Sequence, residues 1–192
     1  MIFAFSGPSC SGKTTLVSGI AKILGKTEEV AVISEVARTV FDEDFSDYGT
    51  LDELRKNENA YLKYQLRILE KQVEMEEKAK RKGVKVISDR SIYDCYVYSR
   101  LFLPPALFER FLDVFRIYAG RKYDVIFLCH PLPPRKDGFR SFADLHTQHL
   151  QLGIIKEVLQ TYHPENVVEL RKTGHALRIR EVLKKITTSP VR

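Results

Sequence analysis

The chain has no tryptophan, only three cysteines, and no apolar run near the length of a membrane span. A bilayer core calls for ~20 consecutive apolar residues, so no membrane-spanning segment is expected. Cys10, Cys95 and Cys129 form no C-x-x-C pair, which removes the usual zinc and dithiol redox motifs. A sparse, odd count suits a reducing cytoplasm. Met1 leads straight into an apolar run, so no secretory leader is read there. Repeats, low-complexity tracts and interdomain linkers are missing too. With 192 residues, 44% hydrophobic and 29% charged, the expectation is one globular domain spanning residues 1–192. The lack of tryptophan beside abundant glutamate and lysine is a composition that suits a thermophile. Charge of one sign is only modestly in excess, at +6. Polyanionic small substrates account for it as well as nucleic acid would, and no basic stripe with interleaved aromatics occurs, so a nucleic-acid partner is not expected.

What the sequence does contain is concentrated near its start. Gly7, Pro8, Ser9, Cys10, Ser11, Gly12, Lys13 and Thr14 fit G-x-x-x-x-G-K-[ST], the phosphate-binding P-loop, and Thr15 follows. Before it, residues 2–5 form a short apolar run with the character of a buried strand. After it, residues 14–24 place apolar side chains at helical spacing. Strand, glycine loop and helix are the context this motif requires. Glycines permit backbone angles that let the loop amides converge on phosphate oxygens, helped by the positive end of the helix. Lys13 would set a cation on the β- and γ-phosphates, Thr14 would ligate Mg²⁺, and Thr15 would reach the α-phosphate. The expected donor is therefore ATP with Mg²⁺.

Further along, residues 30–33, 84–87, 123–129 and 166–170 read as strands. Helical patterns separate them at 36–41, 51–82 (interrupted near 57–59), 92–103, 106–118, 142–162 and 175–186. The 42–52 stretch reads as acidic and turn-like. Leu62, Leu66, Leu69 and Val73 mark the buried stripe of the long helix. Residues 74–82, mostly charged, read as a solvated end stopped by Gly83, and residues 187–192 as a frayed tail. Alternating strands and helices give an α/β fold with a five-stranded parallel sheet. Ligands of such sheets bind beyond the carboxyl ends of the strands.

The chemistry should therefore lie just after each strand. Glu35, with Arg38 three residues on, could take a proton from a substrate hydroxyl, hold a ribose hydroxyl, or simply form a surface ion pair. Asp89 follows an apolar strand in the Walker B manner and would share the metal with Thr14, while Arg90 could touch the transferring phosphate or the acceptor. The proline-rich, basic loop of residues 131–141 could act as a lid, with Arg140 as a cis arginine finger and Arg135 as second choice toward ATP. Tyr61, Tyr64, Gln65 and Arg67 lie on the helix expected to border the acceptor, and Gln65 could read a base or an amide.

In this order along the chain, Gly7–Thr15, Ser34-Glu-Val-Ala-Arg38, Tyr64-Gln-Leu-Arg-Ile-Leu-Glu70, Ser88-Asp-Arg90 and Asp137-Gly-Phe-Arg140 resemble the small P-loop kinases related to the ribosylnicotinamide kinase domain of NadR, a group often catalogued as AAA-type ATP-binding proteins. Asp89-Arg-Ser-Ile-Tyr93 is also similar to the Glu-Arg-Ser of deoxynucleoside kinases and the Asp-Arg of thymidylate kinases. The resemblance implies a nucleoside/nucleotide-kinase-like P-loop NTPase fold with strand order 2-3-1-4-5 and an arginine lid. NadR proteins also carry an adenylyltransferase domain, which has no counterpart in these residues, so a full role in NAD salvage is not expected.

The reading is a cytoplasmic phosphotransferase moving the γ-phosphate of Mg·ATP to a small-molecule hydroxyl, on a nucleoside or a ribosylnicotinamide-like acceptor. Catalytic roles fall to Lys13, Glu35, Asp89 and Arg140. A nucleoside monophosphate kinase is the near alternative, with Arg38, Arg67 and Arg90 on the acceptor phosphate. A regulatory NTPase is the distant one, disfavoured because Arg90 stands where AAA-type ATPases usually place a glutamate. A homodimer through the helices of residues 93–118 is compatible with the pattern.

Overall fold

A computed structural model of the chain describes residues 1–121, 123–133, 144–163, 165–171 and 174–188. Five strands, β1 (Ile2–Ser6), β2 (Val30–Ile33), β3 (Lys85–Ser88), β4 (Val125–Cys129) and β5 (Val167–Leu170), form one parallel sheet ordered β2-β3-β1-β4-β5. The order is the one expected. Pairing is in close register: Phe3 of β1 lies opposite both Ile87 of β3 and Val125 of β4. All five residues of β1 are buried, as a central parallel strand covered on both faces must be.

The period of two along β1 sorts its side chains between two cores. Phe3 and Phe5 point to one face, where they pack with Leu16, Val17 and Ile20 of α1 (Lys13–Leu24) and with Val182 and Ile186 of α8 (His175–Thr188). Phe5 stacks on Phe127 of β4 with ring centroids 5.0 Å apart. Ile2 and Ala4 point to the other face. That face is covered by α2 (Val36–Asp44), α4 (Glu58–Arg81), α5 (Ile92–Phe102), α6 (Pro105–Ala119) and α7 (Leu145–Tyr162).

Local signals explain most boundaries. Asn57 caps α4 through its side chain on Ala60 N and separates it from the short α3 (Leu51–Lys56), where the sequence pattern breaks. The acidic stretch is less of a turn than expected: α2 continues to Asp44, and a 3₁₀ turn follows at Ser46–Tyr48. Ser91 and Asp94 form a capping box at the start of α5. Pro105 occupies the first turn of α6, and Asp144 caps α7 by accepting from Thr147 N.

The C-terminal half of α4 departs from the expectation. Glu76 is fully buried and Ala79 nearly so, so the helix is not solvated on every side. The inward stripe also carries Gln65, Gln72 and Glu76, polar residues whose type alone argues for exposure. Leu66 and Val73, expected on that stripe, are only half-buried. Among the described residues no helix is long and apolar enough to cross a membrane.

Candidate active site

The glycine loop joins β1 to α1 beyond the carboxyl edge of the sheet. Gly7 passes so close to β4 that a Cβ there would sit 2.5 Å from the Cys129 carbonyl oxygen, and Gly12 caps α1 at φ 80°. Neither position admits a side chain without strain. Cys10 also takes a positive φ of 57°. Lys13 is buried, and its Nζ donates to Gly7 O at 2.8 Å, Pro8 O at 2.7 Å and Ser11 Oγ at 3.2 Å. Burial first, and the neighbouring Arg90 guanidinium second, lower the Lys13 pKa from the ordinary lysine value.

Other elements buttress the loop. Ser9 N donates to Gln151 Oε1 at 2.8 Å, and Gln148 Nε2 donates to Ser9 O at 3.1 Å, both glutamines coming from α7. From α8, the buried Arg178 donates to Ser11 O at 2.8 Å and to His130 O at 3.0 Å. The sequence reading missed these three residues. The three-residue step from Gln148 to Gln151 on one helix face is a faint signal, but nothing in the sequence says that the face meets the loop.

Past β3, Asp89 receives the Thr14 hydroxyl at 2.5 Å. Its Oδ1 is buried and has no hydrogen-bond partner among the described residues. A hydroxyl beside a carboxylate with a spare oxygen is a hard-oxygen donor set of the kind Mg²⁺ takes when phosphates and water complete its shell. Among the described residues, no group of three or more His, Cys, Asp or Glu side chains is arranged to hold a metal ion by itself. Arg90 is partly buried beside the loop, 3.3 Å from Asp94 and 5.4 Å from the Tyr98 ring centroid. Its φ of 123° is rare for a residue with a side chain.

Two cavities meet at this point. A cavity of about 130 Å³ is lined by residues 10–15 and Arg90. The other, of about 100 Å³, has Thr14, Asp89 and Arg90 on one side and Tyr61, Tyr64, Gln65, Tyr98 and Phe102 on the other. Gln65 Nε2 donates to the Tyr61 hydroxyl at 2.8 Å. Arg55, which the sequence reading passed over, places its guanidinium carbon 4.2 Å from the Phe102 ring centroid. Glu35 and Arg38 stand at the rim of this cavity and pair at 3.1 Å with both side chains half-exposed. The surface ion pair and the rim position are therefore both real. Glu35 itself sits at φ 59°, the left-handed start of α2.

Arg67 lines neither cavity. It points outward and pairs with Asp44 at 3.2 Å. Arg135 and Arg140, with residues 134–141 of the expected lid, lie outside the described residues.

Behind the loop, Glu169 of β5 gathers His130 at 2.9 Å, Arg171 at 2.8 Å and Lys156 at 3.2 Å. Burial opposes ionisation of Glu169, but hydrogen bonds from His130, Arg171 and Lys156 outweigh it and hold the carboxyl at about 2, against 4.5 in the free side chain. Because the folded value is the lower one, the stabilisation is complete above pH 4.5 and fades as pH falls toward 2. Urea midpoints measured across that window should fall less steeply in Glu169→Gln than in the parent. Equal slopes would show that the cluster contributes nothing to acid stability.

Residues 2–178 match the family described as AAA domain. The chain belongs to that family. No curated protein matches it. Among solved structures, deoxyadenosine kinase from M. mycoides with dCMP and dCDP bound superposes with a TM-score of 0.74 at 14% identity, over 98% of this chain and 100% of that one. NadR in complex with NR superposes with a TM-score of 0.76 at 21% identity, and NadR with NAD and AMP-PNP with a TM-score of 0.74 at 21%. This chain is covered completely by both NadR structures but spans only 51% of their length. These likenesses establish the P-loop kinase fold. At such identities they leave the chemistry to the residues themselves.

Proposed function

We propose that this AAA-domain protein is a kinase that transfers the γ-phosphate of Mg·ATP to a hydroxyl of a small nucleoside-like acceptor. One observation carries the reading: the glycine-loop cavity and the aromatic-walled cavity share Thr14 and Arg90. Donor and acceptor would meet at that shared edge, and phosphoryl transfer is mostly a matter of positioning and charge neutralisation. The likeness in fold to deoxyadenosine kinase with dCMP and dCDP bound and to NadR in complex with NR supports it.

Each residue then has a task. The loop amides and the end of α1 hold the phosphates. Lys13 exchanges its contacts with the loop carbonyls for β- and γ-phosphate oxygens. Thr14 and Asp89 hold Mg²⁺, which supplies neutralisation of phosphate charge when bound. Arg90 faces the group in flight. Glu35 at the rim accepts the proton of the acceptor hydroxyl, with Arg38 orienting it. Tyr61, Tyr64, Gln65, Tyr98 and Phe102 take up the flat part of the acceptor. Arg135 and Arg140 keep their proposed roles toward ATP and the transition state.

The position of Arg67 weighs against a monophosphate acceptor, since one of the three cations such a phosphate would use is turned away in a pair with Asp44. Arg90 directly after Asp89 weighs against a regulatory NTPase, which would want a carboxylate there to activate water.

The test is ADP release from Mg·ATP across a panel of nicotinamide riboside, nucleosides, deoxynucleosides, their monophosphates and a 5′-hydroxyl oligonucleotide. A single acceptor class should raise turnover far above background. Slow hydrolysis indifferent to every acceptor would overturn the kinase reading. With the acceptor in hand, Glu35→Gln should slow transfer by about 10²–10⁴-fold, the usual worth of a general base, and leave ATP binding unchanged. Loss of ATP binding in step with activity would instead make Glu35 a nucleotide contact.

A further inference from the structure

Beneath the shared edge of the two cavities lies a buried polar cluster that the proposed chemistry does not use. Gln72 of α4 is 2% exposed, and its Nε2 lies 2.7 Å from Glu76 Oε1, 2.7 Å from Ser88 Oγ and 3.4 Å from the Arg90 carbonyl oxygen. Glu76, one turn further along α4, is fully buried. Its Oε1 also receives Ser88 Oγ at 3.2 Å and the Tyr123 hydroxyl at 3.3 Å, and the Arg121 guanidinium stands 3.1 Å from its Oε2. Tyr123 in turn accepts from Ile92 N, in the first turn of α5, at 3.1 Å. Four elements thus converge on a cluster that sets the buried Glu76 carboxyl against the partly buried Arg121 guanidinium, an arrangement that apolar packing would normally match or improve on for stability alone.

What the cluster touches is the turn from β3 to α5. That turn carries Asp89, with its spare oxygen, and Arg90, at a φ of 123°. A side-chain-bearing residue keeps such a backbone only where its surroundings over-determine it. Asp89 N is tied to Ile33 O at 2.7 Å, and Ser91 is locked in the capping box of α5. Among the described residues, the Gln72 amide, which shares its two N–H groups between Glu76 and Ser88, also reaches the carbonyl between these two anchors at 3.4 Å. Glu76 accepts from the same amide and so orients it.

We propose that Gln72 and Glu76 are positioning residues that hold the Asp89–Arg90 turn in the geometry needed for metal binding and phosphoryl transfer. The inference rests on the kinase reading for its activity arm, and on the Thr14–Asp89 metal site for its binding arm.

The experiment uses the full chain with Gln72→Met, which keeps the bulk and removes the amide, Glu76→Leu, and the conservative Glu76→Gln, which keeps an acceptor for Gln72. Loss of a supporting residue of this kind typically costs about 10- to 100-fold in activity or metal affinity. Gln72→Met and Glu76→Leu should lose kcat in that range with acceptor KM unchanged, and Glu76→Gln should recover most of it. The Mg²⁺ concentration giving half-maximal binding of a fluorescent ATP analogue should rise in the same two variants. A Gln72→Met protein with the parent's kcat and Mg²⁺ midpoint would overturn the proposal, as would a Glu76→Gln protein as impaired as Glu76→Leu. Should Gln72→Met fail to fold, Gln72→Asn, too short to reach the Arg90 carbonyl, takes its place under the same criteria. If the parent itself transfers phosphate to no acceptor, the kinase reading falls, and the positioning role stands or falls on the Mg²⁺ midpoints.

Discussion

Lys13→Ala is expected to lose phosphoryl transfer by at least about 10²–10³-fold, the scale set by removing one preorganised donor from a transition-state site. The chain folds the side chain into its own loop, where it is buried against Gly7 O, Pro8 O and Ser11 Oγ. An ammonium held among carbonyls and already desolvated has little solvent to shed when phosphate oxygens replace those carbonyls. Its lowered pKa records the same desolvation, and an incoming phosphate offsets it by favouring the charged form. The variant should bind ATP more weakly and turn over more slowly. Isothermal titration with a non-hydrolysable analogue, beside single-turnover assays, separates the two losses. Normal turnover would sink the assignment of the loop as the donor site.

Asp89→Asn is expected to cost at least about 10- to 100-fold in Mg²⁺ affinity, the range for losing even an outer-shell partner of a metal ligand, with a larger loss in transfer at limiting Mg²⁺. The amide can still accept from Thr14, so the fold near the 2.5 Å contact should survive. What disappears is the carboxylate charge and the spare Oδ1. ATP binding without metal should hold or improve, because a negative charge beside the phosphates has gone. The diagnostic is a nucleotide titration with and without Mg²⁺: parent-like Mg²⁺ dependence in Asp89→Asn would place the metal elsewhere.

Much of this architecture is written in local patterns. The apolar runs of β1 to β5 and the helical periods between them lie within a few residues of where sequence spacing puts them. The break before α4 is visible because Asn57 is a strong cap, and the start of α6 within a residue because Pro105 suits a first turn. The glycine loop is legible because its function demands backbone freedom at fixed spacing, which only Gly7 and Gly12 provide.

Elsewhere the same logic misleads. Glu76 reads as exposed by every local rule, yet it is fully buried because Arg121, Tyr123 and Ser88 arrive from other elements and join Gln72 of its own helix to satisfy it. Arg67 and Arg55 are alike in sequence, but one faces solvent and Asp44 while the other lies over Phe102 beside the cavity. Gln148, Gln151 and Arg178 reach the glycine loop from more than 130 residues away in the chain.

By itself, then, the sequence determined the alternation of strands and helices, the loop that would cradle phosphate, and the carboxylates and arginines that follow the strands. These depend on period and on residue chemistry at short range. Only the tertiary structure decided which polar side chains are buried, which arginines face the cavity, and that Thr14 and Arg90 border two cavities at once. The reason is physical: a buried polar group is stabilised by partners distant in the chain, and no local pattern carries the identity of those partners.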